Sequence, residues 1–329
     1  MKIGFYDYGI GFRGTTRSMY AYAKLLQKKH DVTIFFDQHL KTNNLSIATH
    51  ILRDGINVCP INNRNELKEH QLEFLYHVTS QGAPNNQWIR KLDCPKLLHQ
   101  VGYNEPEEHA NTTFAYTSAW QSAYFTAGQA RVLPYLIEPN NITILQNDAR
   151  VSLGIPTDVT VLGRHGGQDT WNLSFASEAV ARIAAKRSDI WFMFVNTPIF
   201  CDLPNVKFFH GSTNTLFLET FLSACDAMLH ARWEGETFGL ACAEFLIRKK
   251  PIITWSGSRE KNHLLLADSS AITFNNQKDL NLILEECTQT ILKEYAQRIP
   301  KEFLLRNYGK EIVTQQLYAI LSKTVSAIL

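Results

Sequence analysis

Residues 229–251, LHARWEGETFGLACAEFLIRKKP, are the stretch on which the reading of this chain turns. From Thr237 through Ile247 every residue is apolar or small except Thr237 and Glu244. That pattern predicts a short helix, apolar on nearly all sides and therefore buried. An ionised carboxylate buried without partners costs several kcal/mol, on the order of a domain's whole margin of stability, so something polar must meet Glu244. A second acid, Glu236, precedes it by eight positions, between a Gly and a Thr that suit the start of a helix. Unpaired backbone N–H groups there favour an anion such as phosphate, and carboxylates nearby accept hydrogen bonds from sugar hydroxyls. The stretch points to a ligand carrying both phosphate and sugar.

Outward from it, short apolar runs alternate with helical stretches. Strands are expected at Val159–Gly163, Ile190–Val195, Val206–Phe209, Ala227–His230, Pro251–Thr254 and Ile272–Phe274. Helices are expected from Trp171 or Asn172 to Arg187, at Thr215–Cys225 and Ser258–Ala267, then at about Asp279–Glu294 and Lys301–Ile328. The first half repeats the alternation. Strands fall at Ile3–Asp7, Val32–Phe36, Asn57–Pro60, Leu72–Val78, Lys96–Val101, Phe114–Thr117 and Val132–Ile137, with helices at about Thr16–Lys29 and Ala119–Thr126 and weaker ones around Ser46–Arg53 and Asn86–Leu92. Such alternation predicts parallel sheets covered on both faces. The interruption at Glu138-Pro-Asn-Asn reads as a linker. The expected fold class is α/β, with two Rossmann-like doubly wound domains, 1–138 and 145–300, facing across a cleft between their strand ends.

Composition bounds the function. The 329 residues, 45% hydrophobic and 19% charged, suffice for two cores. Net charge is +2; residues 1–140 hold 14 Lys+Arg against 12 Asp+Glu, which leaves 19 against 19. Neither half therefore carries the basic footprint of a nucleic-acid partner. The six cysteines lack CxxC pairs or His-rich spacing, which suggests reduced structural thiols, no zinc site and a cytoplasmic setting. The first residues run straight into a strand with no secretory apolar region, and no 18 apolar residues run together, so no transmembrane segment is expected.

Gly9-Ile-Gly11-Phe-Arg-Gly14 is a literal GxGxxG after a strand and before a helix, with Asp37 closing the second strand. That is the layout of a dinucleotide fingerprint. Bulky Phe12 and Arg13 instead widen the loop beyond a tight pyrophosphate turn, which favours backbone approach to another ligand. His77 and His99 lie near the carboxyl ends of their strands, the edge where open α/β sheets bind ligands. A histidine satisfied by backbone is the commoner outcome at such a position.

Taken together, Gly163-Arg164 after a strand, Asp226 before another, Glu236-Thr-Phe238-Gly239, Glu244 and Lys250-Pro251-Ile-Ile resemble the C-terminal half of retaining GT-B glycosyltransferases of the family 4 type. The resemblance spans about Val159–Phe274. It is looser in the first half, at Gly11–Gly14 and from Phe114 through Ser118 and Trp120 to Leu136. It implies a nucleotide-diphosphate sugar as donor, with ribose hydroxyls on Glu244 and the transferred sugar on Glu236. Backbone N–H groups of Phe238, Gly239 and Leu240, beside Thr237, would face the diphosphate, and Arg164 would counter its charge. His99 resembles the histidine at the acceptor side, and Gly14 belongs to the loop on the donor side. The implied reaction is retaining transfer of a hexose-type sugar to a hydroxyl of a glycan, lipid-linked or small-molecule acceptor. The departing phosphate oxygen would take the acceptor's proton, with no metal or cofactor. A peripheral membrane contact is compatible with this, and the last helix, about 305–329, would pack back on the first domain.

Three departures stand out. From His165 to Ala181 there is no Lys or Arg to act as a second diphosphate clamp, Arg232-Trp233 occupy the place of Pro-Ser, and Thr237 replaces a Gly. Arg13, Arg17 and Arg232 are the candidate substitute cations, Arg13 first among them. Two alternatives of other classes remain: a catalytically silent sugar-nucleotide or glycan-binding protein of this fold, and an NAD(P)-dependent oxidoreductase built on Gly9–Gly14 and Asp37. An isomerase acting on a sugar nucleotide is a nearer variant.

Overall fold

The computed structural model describes residues 1–80, 87–106, 111–139 and 141–326. Asn86 of the expected weak helix, Asn140 of the expected linker and Ile328 of the expected last helix lie outside them. The chain divides into two compact units, residues 1–136 with 307–329 and residues 137–306. Among the described residues no helix is long and apolar enough to cross a membrane.

The first unit carries seven parallel strands, β1 (Lys2–Tyr6), β2 (Asp31–Asp37), β3 (Asn57–Ile61), β4 (Phe74–Thr79), β5 (Lys96–Gln100), β6 (Thr112–Tyr116) and β7 (Arg131–Val132), in the order 3-2-1-4-5-6-7. β4 and β5 are buried at every position. Burial on both faces is what a central parallel strand requires, and here it takes in polar residues too, His77 and Thr79 on β4 and Lys96, His99 and Gln100 on β5. The order reverses between β1 and β4, which are in register from Ile3 opposite Phe74 to Tyr6 opposite His77. The helix Lys310–Ser326 packs on β5, β6 and the helix Gly14–Leu26, and Thr324 Oγ1 donates to Thr113 Oγ1 at 2.6 Å.

The second unit repeats the plan with β8 (Thr160–Arg164), β9 (Ile190–Val195), β10 (Val206–Phe209), β11 (Ala227–His230), β13 (Ile252–Trp255) and β15 (Ala271–Phe274), in the order 10-9-8-11-13-15 and parallel throughout. Its reversal point lies between β8 and β11. Two short strands outside this sheet, β12 (Gly235–Glu236) and β14 (Glu260–Lys261), pair with each other. Gly235 makes that pairing fit. Its φ is +76°, and a Cβ there would lie 1.9 Å from the Glu260 carbonyl oxygen.

Several expected elements are shorter or divided. The helix carrying Glu244 spans only Leu240–Leu246, because Gly239 before it is left-handed at φ +91°. The helix expected from Trp171 begins at Ser174. The strand expected at Val132–Ile137 ends after Val132; Pro134 just beyond has no N–H to continue a ladder. The region Asp279–Glu294 holds two helices, Gln277–Glu286 and Gln289–Gln297, the second capped by Thr288, whose side chain accepts from the Ile291 N–H. Gly309 likewise separates Lys301–Tyr308 from Lys310–Ser326. Of the residues expected to form one helix from Ser258, Glu260 and Lys261 are strand and the helix runs over Asn262–Ala267.

Asp226, just before β11, ties the second unit together. Its carboxylate accepts from Arg150 Nη2 at 2.7 Å, from the Val161 N–H at 2.7 Å and from Gln146 Nε2 at 3.0 Å. Arg150 is buried and also donates to the Ala224 and Thr157 carbonyls. A buried ion pair so fully hydrogen-bonded joins the start of β8, the start of β11 and the helix Gln146–Ser152.

Candidate functional site

In an open α/β sheet, ligands sit beyond the carboxyl ends of the strands where the order reverses. In the second unit these ends deliver Arg164 from β8 and His230 from β11, followed by the loop that holds Glu236. Glu236 is the centre of a charged cluster. Arg232 Nη1 donates to its Oε2 at 3.0 Å, and His230 Nε2 lies 3.3 Å from its Oε1. The other ring nitrogen of His230 is 2.8 Å from Thr254 Oγ1 at the end of β13, and His263 lies against the His230 ring with centroids 4.9 Å apart. Burial would raise the Glu236 carboxyl. Arg232, the hydrogen bond from His230 and the two imidazoles together outweigh burial and bring it down to about 2. Burial holds His263 down at about 3, so it stays neutral. Arg232 is raised by Glu236 in turn.

The backbone around this cluster is set by neighbours. Asn262 Nδ2 donates to the Phe238 carbonyl at 2.7 Å. A Cβ on Gly239 would stand 3.2 Å from His263 Cβ and 3.3 Å from Glu236 Cβ, so glycine serves both the left-handed turn and the close approach. Thr237 is partly exposed, Phe238 after it is buried, and Leu240 opens the helix. Glu244, buried one turn further on, meets His165: its Oε2 lies 3.2 Å from His165 Nε2. The His165 ring stacks on Phe245 at 5.8 Å. The polar partner required by the sequence pattern thus comes from the residue after Arg164.

Arg164 is placed differently from a free phosphate clamp. Its Nη1 donates to the Val195 and Asn196 carbonyls at 3.2 and 3.1 Å and to Thr197 Oγ1 at 2.5 Å. Its Nη2 donates to the Gly167 carbonyl and Thr170 Oγ1, both at 2.6 Å. These acceptors are neutral. Arg164 therefore adds positive potential near Glu236, while the hydrogen bonds of both terminal nitrogens hold the loops after β8 and β9. Burial pulls its guanidinium down to about 10, opposed by Glu236, which leaves it charged at neutral pH.

In the first unit, Arg13 closes the glycine loop on itself. Its Nη2 lies 3.0 Å from Asp7 Oδ2 and also donates to the Gly9 carbonyl; its Nη1 donates to Tyr8 Oη at 3.0 Å. Gly14, next along, is the first residue of its helix. Burial drives the Asp7 carboxyl up to about 6 against the pull of Arg13. The folded state thus holds this proton more tightly than an unfolded carboxyl near 4. Its contribution favours folding below about pH 4 and is lost as pH rises through about 6. Asp7→Asn is expected to narrow the fall in melting temperature between about pH 5 and pH 8 relative to wild type. An identical fall in both proteins would refute this.

His99 is fully buried. Its Nε2 donates to the Leu133 carbonyl at 2.8 Å and its Nδ1 accepts from Tyr76 Oη, while burial pushes the ring down to about 3. It is a neutral core histidine, sealed from any ligand. His77, one strand over, does reach the sheet edge, where it lines a shallow concavity with Tyr6, Tyr8, Arg64 and Thr79.

The residues that sequence reasoning missed are His165, which directly follows the singled-out Arg164, and His230, His263, Asn262 and Thr254. His230 ends the run Ala-Met-Leu-His, the same strand-end signal that singled out His77 and His99. The other three carry no local signal. Among the described residues no group of three or more His, Cys, Asp or Glu is arranged to hold a metal ion.

Two tandem Rossmann-like units with the same strand order define the GT-B fold. No family model matches the chain and no curated protein matches it, but solved structures do. The chain is similar to a glycosyltransferase from Rickettsia africae ESF-5, at 13% identity and a TM-score of 0.73 over 98% of both chains. It is also similar to Anabaena Alr3699/HepE in complex with UDP-glucose, at 16% identity and a TM-score of 0.74, over 98% of this chain and 100% of that one. A third is WaaG, a glycosyltransferase involved in lipopolysaccharide biosynthesis, at 15% identity and a TM-score of 0.64 over 99% of both.

Proposed function

We propose that this protein is a metal-independent, retaining glycosyltransferase of the family 4 type, which moves a hexose from a nucleotide-diphosphate sugar to an acceptor hydroxyl. The observation that carries the reading is the pair Glu236 and Glu244 near the reversal point of the second sheet, Glu236 with His230 Nε2 at 3.3 Å and Glu244 with His165 Nε2 at 3.2 Å. An ionised Glu236 with a second oxygen held by Arg232 accepts hydrogen bonds from sugar hydroxyls. Glu244 takes the ribose, and the N–H groups of Phe238, Gly239 and Leu240 take the diphosphate. Arg164 supplies charge rather than contacts. Catalysis consists of positioning donor and acceptor and stabilising the departing diphosphate, whose oxygen receives the acceptor's proton. A cytoplasmic location and a glycan, lipid-linked or small-molecule acceptor belong to the same proposal. The fold shared with a protein bound to UDP-glucose supports UDP as the first nucleotide to try.

Thermal-shift measurement against UDP, GDP, ADP and their sugars tests this. A ligand held by the folded state at about a hundred times its Kd adds about 2.7 kcal/mol of stability, and one base is expected to stand out. No shift with any of them would overturn the proposal. Retention is read from the anomeric configuration of the product by NMR, and metal independence from unchanged rates in EDTA. One observation favours a second reading, a silent sugar-nucleotide-binding protein: both terminal nitrogens of Arg164 are spent on neutral protein acceptors, and Arg13 and Arg232 are each ion-paired to a protein carboxylate. Donor binding with neither transfer nor slow donor hydrolysis would decide for it. The oxidoreductase has less support, since the Ile10 and Gly11 N–H groups of its glycine loop already donate to Asn43 Oδ1 and Thr16 Oγ1.

A further inference from the structure

Trp233 stands at the rim of the Glu236 cluster with 61% of its surface exposed. It is not a loose surface aromatic. Its backbone N–H donates to Asn172 Oδ1 at 2.7 Å, and Asn172 Nδ2 donates to Glu234 Oε2 at 3.0 Å. On its other side Arg232 reaches Glu236 at 3.0 Å and Glu234 at 3.6 Å. The indole lies nearly parallel to that of Trp255, with ring planes 20° apart and centroids separated by 6.1 Å. Trp255 ends β13 and is braced by Phe175 and Phe274. The backbone of Trp233 is thus pinned to Asn172 and its indole lies against Trp255, next in the chain to the Arg232 guanidinium and the Glu234 carboxylate.

That combination matches one chemistry. A pyranose has an apolar face of C–H groups that lies on an indole, and a rim of hydroxyls that carboxylates and guanidinium groups bind. A nucleotide base has the flat face too, but it lacks the rim of hydroxyls that carboxylates and a guanidinium bind. We infer that Trp233, backed by Trp255, is a pyranose-stacking platform and helps decide which sugar the site accepts. The inference rests on the proposed transferase reading for the source of the sugar, either the transferred hexose of the donor or the terminal sugar of a glycan acceptor. The stacking itself is tested without that reading.

The test uses the full chain and Trp233→Ala, with Trp233→Phe as a variant that keeps a smaller apolar ring. Saturation-transfer NMR with methyl glucopyranosides and methyl galactopyranosides is expected to show binding to wild type, weaker binding to the Phe variant and none to the Ala variant. Equal transfer to wild type and Ala variant, or none to wild type, overturns the platform. Calorimetry then separates the sources. If the sugar comes from the donor, Trp233→Ala weakens UDP-glucose about tenfold and leaves UDP unchanged, the size of an aromatic stacking contact. If it comes from the acceptor, both nucleotides bind as before and the KM for a glycoside acceptor rises by about the same factor. Equal loss of UDP and UDP-glucose would make Trp233 a base platform and overturn the inference. Saccharide binding that depends on Trp233 in a protein that binds no nucleotide would instead sustain the platform and overturn the transferase reading.

Discussion

Replacing Glu236 with Gln is expected to lower sugar transfer about 10²-fold, the scale on which one preorganised charged group acts in a desolvated site. The substitution keeps the shape of the side chain and one oxygen acceptor, and removes the charge. In the wild type that charge persists against burial, because Arg232 and His230 hold the carboxyl at about 2. The amide of Gln must place its NH2 against one of those donors, so either Arg232 or His230 loses an acceptor. The pH dependence follows from the sign of the shift. A carboxyl lowered on folding adds stability above its unfolded value, near 4.3, and that stability is lost as pH falls through about 2. Glu236→Gln should therefore unfold with a shallower acid limb than wild type. Initial rates at saturating donor, together with circular dichroism between about pH 2 and pH 5, measure both effects. Wild-type turnover in the variant would end the role given to this residue.

The largest effect on stability is expected far from any ligand, at Arg150→Met. Truncating that guanidinium removes the direct ion-pair partner of the Asp226 carboxylate, whose side chain is 8% exposed in the wild type. Breaking a buried pair in this way costs about 3–5 kcal/mol. In a unit of this size that lowers the melting temperature by roughly 10 °C. Adding Asp226→Leu should recover only part of the loss. It removes the stranded charge but also deprives the Val161 N–H and Gln146 Nε2 of their acceptor. Thermal unfolding of the two variants decides it. A shift below about 2 °C for Arg150→Met would mean that the pair contributes nothing net.

The fold was largely legible because hydrophobic period is a local property. The runs Ile190–Val195, Val206–Phe209 and Ala227–His230 are strands over those very residues. Buried parallel strands announce themselves as unbroken apolar stretches. Boundaries failed where one residue's backbone overrides the period. Gly239 delays a helix, Pro134 marks the end of a strand, and the caps at Thr288 and Gly309 divide helices that read as continuous. The site was half legible. Glu236 and Glu244 declare themselves, since a carboxylate in apolar sequence demands a partner. Which partner answers depends on which strand ends meet.

By itself the sequence determined the two α/β units, the glycine-lined turn and the two acids eight residues apart. Each of these follows from neighbours along the chain. Only the tertiary structure decided that His230 and His165 attend those acids, that Arg164 spends its donors on carbonyls, that Asp226 pairs with Arg150, and that His99 is sealed while Trp233 is not. Strand order places β8 beside β11 across some sixty residues of chain. Hydrogen bonds, unlike hydrophobic period, are settled by who arrives at the same sheet edge.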